Sequence, residues 1–99
     1  MNVSGGDLVA RTLADVGVEV AFGLHGGHLD AMLVACARLG IRLVDVRHEA
    51  VAVNAADGYA RSTGRLGVAF ATAGSGFSNA VAGLGPARID RSPLLLLTS

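Results

Sequence analysis

Four short apolar runs alternate with segments of helical pattern along this chain of 99 residues. The runs are VEVAFGL (18–24), IRLVDV (41–46), LGVAFATA (66–73) and LLLLTS (94–99). Their apolar positions are continuous, whereas a strand with one solvated face alternates between apolar and polar residues. We therefore predict four strands buried on both faces of a parallel sheet.

The segments between these runs predict helices. Ser4 and Asp7 form a capping box before the first helix, which Gly17 ends. The next three helices are predicted over about 29–39, 49–62 and 80–89. The residues 74–79 (GSGFSN) are predicted as a glycine turn, and Gly83, Gly85 and Pro86 weaken the last helix. Alternation of helices and strands predicts an open, doubly wound α/β fold with helices on both faces.

The last apolar run stops at Ser99 with no helical segment after it. An uncovered apolar strand at a sheet edge is a template for aggregation. Hydrophobic residues make up 52% of the chain, which is high for a small domain with a large surface relative to its volume. We therefore expect residues 1–99 to be the first part of a longer domain, truncated after the fourth strand.

The charge pattern excludes several kinds of partner. Eight basic residues, all Arg, balance eight acidic ones, and no basic stripe forms, so neither nucleic acid nor an anionic membrane is expected. No secretion signal is visible, and no apolar run approaches the ~18–20 residues of a membrane helix. The single cysteine, Cys36, lies on an apolar helical face and is expected in the core, so a cytoplasmic protein is predicted.

Reactive side chains cluster in the loops that follow the strands. In open parallel sheets, ligands bind outside the carboxyl ends of the strands. The candidates after the four strands in turn are His25 and His28; His48 and Glu49; Thr72, Gly74, Ser75 and Gly76; and Thr98 and Ser99. We therefore predict that all three histidines and Glu49 share one rim of the sheet.

Simple structural roles for these residues stay open. Glu49 would gain ~0.3–1 kcal/mol from the helix dipole in a first turn, and His25 and His28 would serve as loop caps. The two histidines with Glu49 lack the spacing and third ligand of a zinc site, so no metal site is predicted. The turn GSGFSN departs from the dinucleotide fingerprint at Asn79 and no ribose-binding acid follows, which disfavours a dinucleotide. Gly58, within the third helix, is expected to permit close packing.

Three segments together resemble a known domain. They are FGLHGGHLD (22–30), the long segment from RHEAVAVN to GSGFSNAV (47–81) and IDRSPLLLLTS (89–99). The chain resembles the pyrimidine-binding N-terminal domain of thiamine-diphosphate enzymes, the acetolactate synthase and pyruvate decarboxylase superfamily. GLHGGH and TAGSGFSNAV are most similar to benzaldehyde lyase. Ala50, where acetolactate synthases usually carry Gln, and a turn without proline argue mildly against a biosynthetic acetolactate synthase.

The resemblance implies roles for five residues. Glu49 would hydrogen-bond the cofactor's aminopyrimidine ring and favour the imino tautomer that takes the proton from the thiazolium carbon. His28 would shuttle a proton to the substrate oxygen, and His25 would support it. Thr72 and Gly74 would approach the pyrimidine, where a glycine lets backbone come close.

The resemblance also implies what lies outside this chain. Members of the superfamily hold the diphosphate and its Mg²⁺ on a C-terminal domain with a G-D-G…N motif, which Asp57-Gly58 does not match. The active site forms between two subunits, so a homo-oligomer and the diphosphate-binding domain of another subunit are the implied partners. The chain alone is expected to bind thiamine diphosphate weakly and to be inactive.

The function implied is that of a carbon–carbon lyase or ligase acting on 2-hydroxyketones or 2-oxoacids, with a small carbonyl substrate. The alternatives within the superfamily are an acetolactate-synthase-like enzyme and a 2-hydroxyacyl-CoA lyase-like enzyme. A non-catalytic α/β module that binds a partner is the alternative from another class.

Overall fold

The computed structural model describes residues 2–99, which form one four-stranded sheet with four helices. The elements in chain order are α1 (Gly5–Asp15), β1 (Val20–Gly23), a 3₁₀ turn (Gly27–Leu29), α2 (Asp30–Arg38), β2 (Arg42–Asp45), α3 (Glu49–Thr63), β3 (Gly67–Ala71), α4 (Ser75–Ile89) and β4 (Leu94–Thr98). The strands are all parallel in the order β2-β1-β3-β4. The predicted α/β class with an open parallel sheet is confirmed.

The inner strand β3 contributes side chains to two cores, because successive side chains of a strand point to opposite faces. Val68 and Phe70 pack with the buried residues of α1 and α2, whereas Ala69 and Ala71 pack with those of α3 and α4. Cys36 lies in the first core at 1% exposure, as predicted, and burial raises the pKa of its thiol. Two helices therefore cover each face of the sheet.

Burial on both faces holds for β3 alone. Every residue of β3 is buried, but the edge strands β2 and β4 are half-buried or exposed along their length. Leu95 on β4 keeps 36% of its surface exposed. A continuous apolar run predicts a strand correctly, but its place in the sheet decides how much of it is covered.

Helix α4 corrects the predicted turn over 74–79. Only Gly74 turns the chain, with φ of 79°, and the helix begins at Ser75 rather than near residue 80. The helix also continues through Pro86 to Ile89. Gly83 explains part of this persistence, because an added Cβ would lie 2.7 Å from the Val53 Cβ and 3.3 Å from the Ala50 carbonyl oxygen. Close packing of α4 on α3 thus offsets the weak helix propensity of glycine.

The capping box predicted at Ser4 is present. The Asp7 backbone N–H donates to the Ser4 hydroxyl (3.1 Å), and the Ser4 N–H donates to the Asp7 carboxylate (3.0 Å).

Within residues 2–99, no helix is long and apolar enough to cross a membrane.

A part-buried ion pair within α3 also reaches the end of α4. Asp57 is 6% exposed, and Arg61 donates to both of its carboxylate oxygens at 2.9 and 3.0 Å. The same guanidinium reaches Asp90 at 2.6 Å and donates to the Pro86 carbonyl at 3.3 Å. The hydrogen bonds from Arg61 hold the pKa of Asp57 below its usual value.

This pair predicts a loss of stability in acid. Because folding lowers the pKa of Asp57, its contribution is complete above the unfolded value and is lost as the pH falls through the lower folded value. We expect Asp57→Asn to be less stable than the native chain at neutral pH, with a smaller further loss at about pH 3. Urea denaturation at both pH values measures this, with the exposed Asp45→Asn on β2 as control. An equal acid-induced loss in Asp57→Asn and the native chain would contradict it.

Candidate functional site at the carboxyl ends of the strands

Glu49 is the first residue of α3, and His48 sets its position. His48 has extended backbone (φ −151°, ψ 140°), and its Nδ1 accepts a hydrogen bond from the Ala50 N–H at 3.0 Å. The imidazole therefore acts as the N-cap of α3, a role that serine or aspartate fills more often. His48, which the sequence places on the rim, is thus the group that fixes where the helix and its first carboxylate begin.

The Glu49 carboxylate is half-buried and bound on one side. Asn79 on α4 donates from Nδ2 to Glu49 Oε1 at 3.2 Å, across 30 residues of sequence. This bond joins the first turn of α3 to α4. It distinguishes the two carboxylate oxygens, since Asn79 donates to Oε1.

Two glycines shape the space around the other oxygen. A Cβ on Gly76 would lie 3.4 Å from Glu49 Oε2 and 3.1 Å from the Thr72 methyl group. A Cβ on Gly26 would overlap the Thr72 side chain. Gly26 in the loop after β1 and Gly76 at the start of α4 therefore both lie against Thr72, and Gly76 leaves room beside Glu49 Oε2.

Gly74 has a different reason to be glycine. Its φ of 79° favours glycine, whereas a Cβ there would meet no atom within 4 Å. The adjoining loop is tied to the end of β4, because the Ala73 N–H donates to the Ser99 hydroxyl at 3.1 Å. Gly74 therefore turns the chain into α4 and presents open backbone at the rim.

The two loop histidines follow β1, at the carboxyl-end edge of the sheet. His25 Nδ1 lies 2.6 Å from Asp30 Oδ1, and both side chains are largely exposed, at 71% and 52%. His28 lies exposed in the 3₁₀ turn. Among residues 2–99, no hydrogen bond joins either imidazole to Glu49. The structure thus brings Glu49, Thr72 and Gly76 together, and it pairs His25 with Asp30 rather than with Glu49.

Several site features escape sequence reasoning. The sequence marks Asn79 only as a departure from a dinucleotide fingerprint. The predicted helix starts at residue 80, so Asn79 is not predicted to lie on a helix. Asp30 and Gly26 are part of the resembling segments, but nothing in their spacing indicates their contacts with His25 and Thr72. Pairings across different loops leave no local pattern in a single sequence.

The groups around Glu49 suit a flat ring that carries nitrogen atoms. A carboxylate oxygen with free space beside it can pair with a ring nitrogen, and glycines allow a planar group to lie close to backbone. Within residues 2–99, no three His, Cys, Asp or Glu side chains lie close enough together to hold a metal ion. Fold and site together define an open parallel α/β domain that presents a carboxylate at its ligand-binding edge.

Residues 3–99 match a family model that is described as "Thiamine pyrophosphate enzyme, N-terminal TPP binding domain". The chain therefore belongs to this family. Thiamine diphosphate is the cofactor of the family.

The relatives include lyases and synthases. The chain is 53% identical over 93 residues to 2-hydroxyacyl-CoA lyase 2 of Danio rerio and 52% identical over 93 residues to that of Homo sapiens, with 94% of this chain covered in both. It is 42% identical over 92 residues (93% of this chain) to the acetolactate synthase large subunit IlvG of Mycobacterium tuberculosis. The chain spans only 15–17% of the length of these relatives. The finer likeness to benzaldehyde lyase stays a prediction.

Proposed function

We propose that residues 1–99 supply the pyrimidine side of a thiamine-diphosphate site in a carbon–carbon lyase, with Glu49 as the residue that activates the cofactor. The single observation that carries this proposal is the Glu49 carboxylate, which is held through Oε1 and has space kept free beside Oε2. The bound cofactor supplies a nucleophilic thiazolium carbon and an electron sink.

Glu49 acts in this proposal through proton sharing. Oε2 pairs with the pyrimidine ring nitrogen, because a carboxylate within hydrogen-bond reach of a ring nitrogen can share a proton with it. The Thr72 side chain fills the space between Gly26 and Gly76 and so supports the floor of the site. Gly74 offers backbone at the rim, where a ring can approach without meeting a side chain.

The histidines are proposed to act on the substrate. Asp30 holds His25 through Nδ1, and such a contact orients an imidazole ring. His28 has an exposed side chain in the adjacent turn, and it is proposed as the proton shuttle to the substrate oxygen. The histidines and Glu49 are given two tasks, because activation of the cofactor and protonation of the substrate occur at different atoms.

The substrate class is proposed from the relatives. Identity of 53% with a 2-hydroxyacyl-CoA lyase, against 42% with an acetolactate synthase, favours cleavage of 2-hydroxyacyl substrates over condensation of 2-oxoacids. A holoenzyme that contains this segment should therefore be assayed with a 2-hydroxyacyl-CoA, a 2-hydroxyketone and a 2-oxoacid. Turnover of the 2-oxoacid alone would favour the synthase, and turnover of the 2-hydroxyketone alone would favour the benzaldehyde-lyase likeness.

A partner surface is proposed beside the site. Val51 on α3 and Phe77 and Val81 on α4 are 50%, 41% and 45% exposed, although all three are large apolar side chains. We propose that the diphosphate-binding domain of another subunit, which carries the Mg²⁺, covers them. A non-catalytic α/β module is the alternative, and a holoenzyme that binds thiamine diphosphate but turns over no carbonyl substrate would favour it.

Substitution of Gly76 by alanine tests the position of the ring. The added Cβ fits with small adjustment at 3.1 Å from the Thr72 methyl group, but it occupies the space beside Glu49 Oε2. We expect a holoenzyme with Gly76→Ala to keep its melting temperature and to bind thiamine diphosphate roughly tenfold or more weakly, since a small misplacement near a reacting group is costly. Calorimetric titration with the cofactor measures this. Gly85→Ala, on the same helix and with open space around its Cβ, is the matched control; equal affinities in both variants would contradict the proposed ring position.

A further inference from the structure

We propose that Asn79 is a positioning residue, whose side-chain amide holds Glu49 Oε1 so that Oε2 is directed to the cofactor. This inference rests on the proposed function of Glu49. It starts from the 3.2 Å hydrogen bond between Asn79 Nδ2 and Glu49 Oε1, which is the contact that links α4 to the carboxylate.

The backbone of Asn79 is held firmly enough to fix the position of its side-chain amide. The next residue, Ala80, is fully buried, and one turn further along α4 Gly83 packs tightly against Val53 of α3. The amide therefore projects from a helix whose distance from α3 is set by core packing. A glutamate has three rotatable side-chain bonds, and a fixed donor at one oxygen selects among its rotamers.

The chemical type of the donor also fits the task. An amide N–H is neutral, so it can hold a carboxylate oxygen without the strong ion pair that Arg or Lys would form. A carboxylate locked in an ion pair shares a proton poorly, whereas one with a neutral partner can still share a proton through its other oxygen. Asn79 thus orients Glu49 without neutralising its charge.

A purely structural role explains the bond less well. The two helices are already joined by buried contacts of Val53 with Gly83 and by the hydrogen bond from Arg61 to the Pro86 carbonyl. The Asn79 bond is exposed and adds little to this packing. Loss of the amide should therefore affect the chemistry of Glu49 more than the stability of the fold.

The test compares four variants of a thiamine-diphosphate holoenzyme that contains this segment. Asn79→Ala removes the donor, and Asn79→Asp replaces it with a second carboxylate of equal size. Asn54→Asp, an exposed position on α3, makes the same charge change away from Glu49, and Glu49→Gln tests the proposed function itself. The readouts are the melting temperature, the cofactor affinity and the rate at which the thiazolium C2 proton exchanges in D₂O, followed by NMR across pH.

We expect Asn79→Ala to slow C2 exchange by ~10–100-fold with an unchanged melting temperature, the scale of a misplaced catalytic group. In Asn79→Asp the acidic limb of the exchange profile should move to higher pH by about one unit or more, because two adjacent carboxylates resist ionising together. Asn54→Asp should match the native holoenzyme. If Asn79→Asp does not fold, Asn79→Ala still tests the inference, because it removes the donor without adding a charge.

The inference is overturned if Glu49→Gln slows exchange while both Asn79 variants stay within about twofold of the native rate, a difference too small for a lost positioning contact. It is also overturned if the profile of Asn79→Asp equals that of Asn54→Asp. Normal exchange in Glu49→Gln has a separate meaning, because it removes the proposed function on which the inference rests.

Discussion

Replacement of Glu49 by glutamine is expected to slow C2 proton exchange, and with it turnover, by ~10²–10⁴-fold in a holoenzyme that contains this segment, which is the usual contribution of a positioned acid or base. Glutamine has the size of glutamate, and its carbonyl oxygen can still accept the hydrogen bond from Asn79 Nδ2. It cannot release or take a proton at the position of Oε2. The melting temperature should therefore stay close to that of the native protein, while the chemistry is lost.

The chain supplies its own control for this experiment. Its other glutamate, Glu19, is exposed and pairs with Arg65 at 3.1 Å on the surface. Exposed pairs of this kind contribute little to stability. Glu19→Gln should therefore leave both exchange and turnover unchanged, and unchanged turnover in Glu49→Gln as well would refute the role proposed for Glu49.

The second large effect is expected at Gly67, the first residue of β3. Gly67 is buried, and a Cβ there would overlap the carbonyl group of Ala56 on α3. Ala56 cannot move aside easily, because its carbonyl group is part of the backbone in the middle of α3. We expect Gly67→Ala to lower the free energy of unfolding by about 1–3 kcal/mol, the usual cost of overpacking a core. Urea denaturation of the two proteins measures this.

Gly58 provides the opposite case in the same helix. The expectation that Gly58 permits close packing is wrong, because the residue is exposed and an added Cβ would meet no atom within 4 Å. Gly58→Ala should therefore raise the free energy of unfolding by about 0.5–1 kcal/mol through helix propensity. If Gly67→Ala were as stable as the native chain, the close approach of α3 to β3 would be contradicted.

Local patterns predicted most of the fold. The apolar runs place all four strands, the Ser4 capping box is found with both of its hydrogen bonds, and the two-faced α/β architecture is confirmed. The start of α4 was missed by five residues. The glycine-rich residues 74–79 are typical of a turn, but only Gly74 takes the left-handed conformation. The residues that follow Gly74 are stabilised more by helix packing in α4 than by a turn.

For the candidate site, the sequence predicts where the residues lie but not which of them are in contact. The rule that ligands bind beyond the carboxyl ends of parallel strands places Glu49, Thr72 and the histidines on one rim. It does not say which of them touch. The structure joins Glu49 to Asn79 and Gly76, pairs His25 with Asp30 and makes His48 the cap of α3.

By itself, the sequence determined the order of helices and strands and the edge of the sheet where polar groups collect, since both follow from hydrophobic period and chain connectivity. Only the tertiary structure decided that Asn79 binds one oxygen of Glu49 while Gly76 leaves room at the other. That pairing depends on the distance between α3 and α4, which the packing of Gly83 against Val53 sets. Contacts of this kind join residues far apart in the chain, so no local spacing in the sequence encodes them.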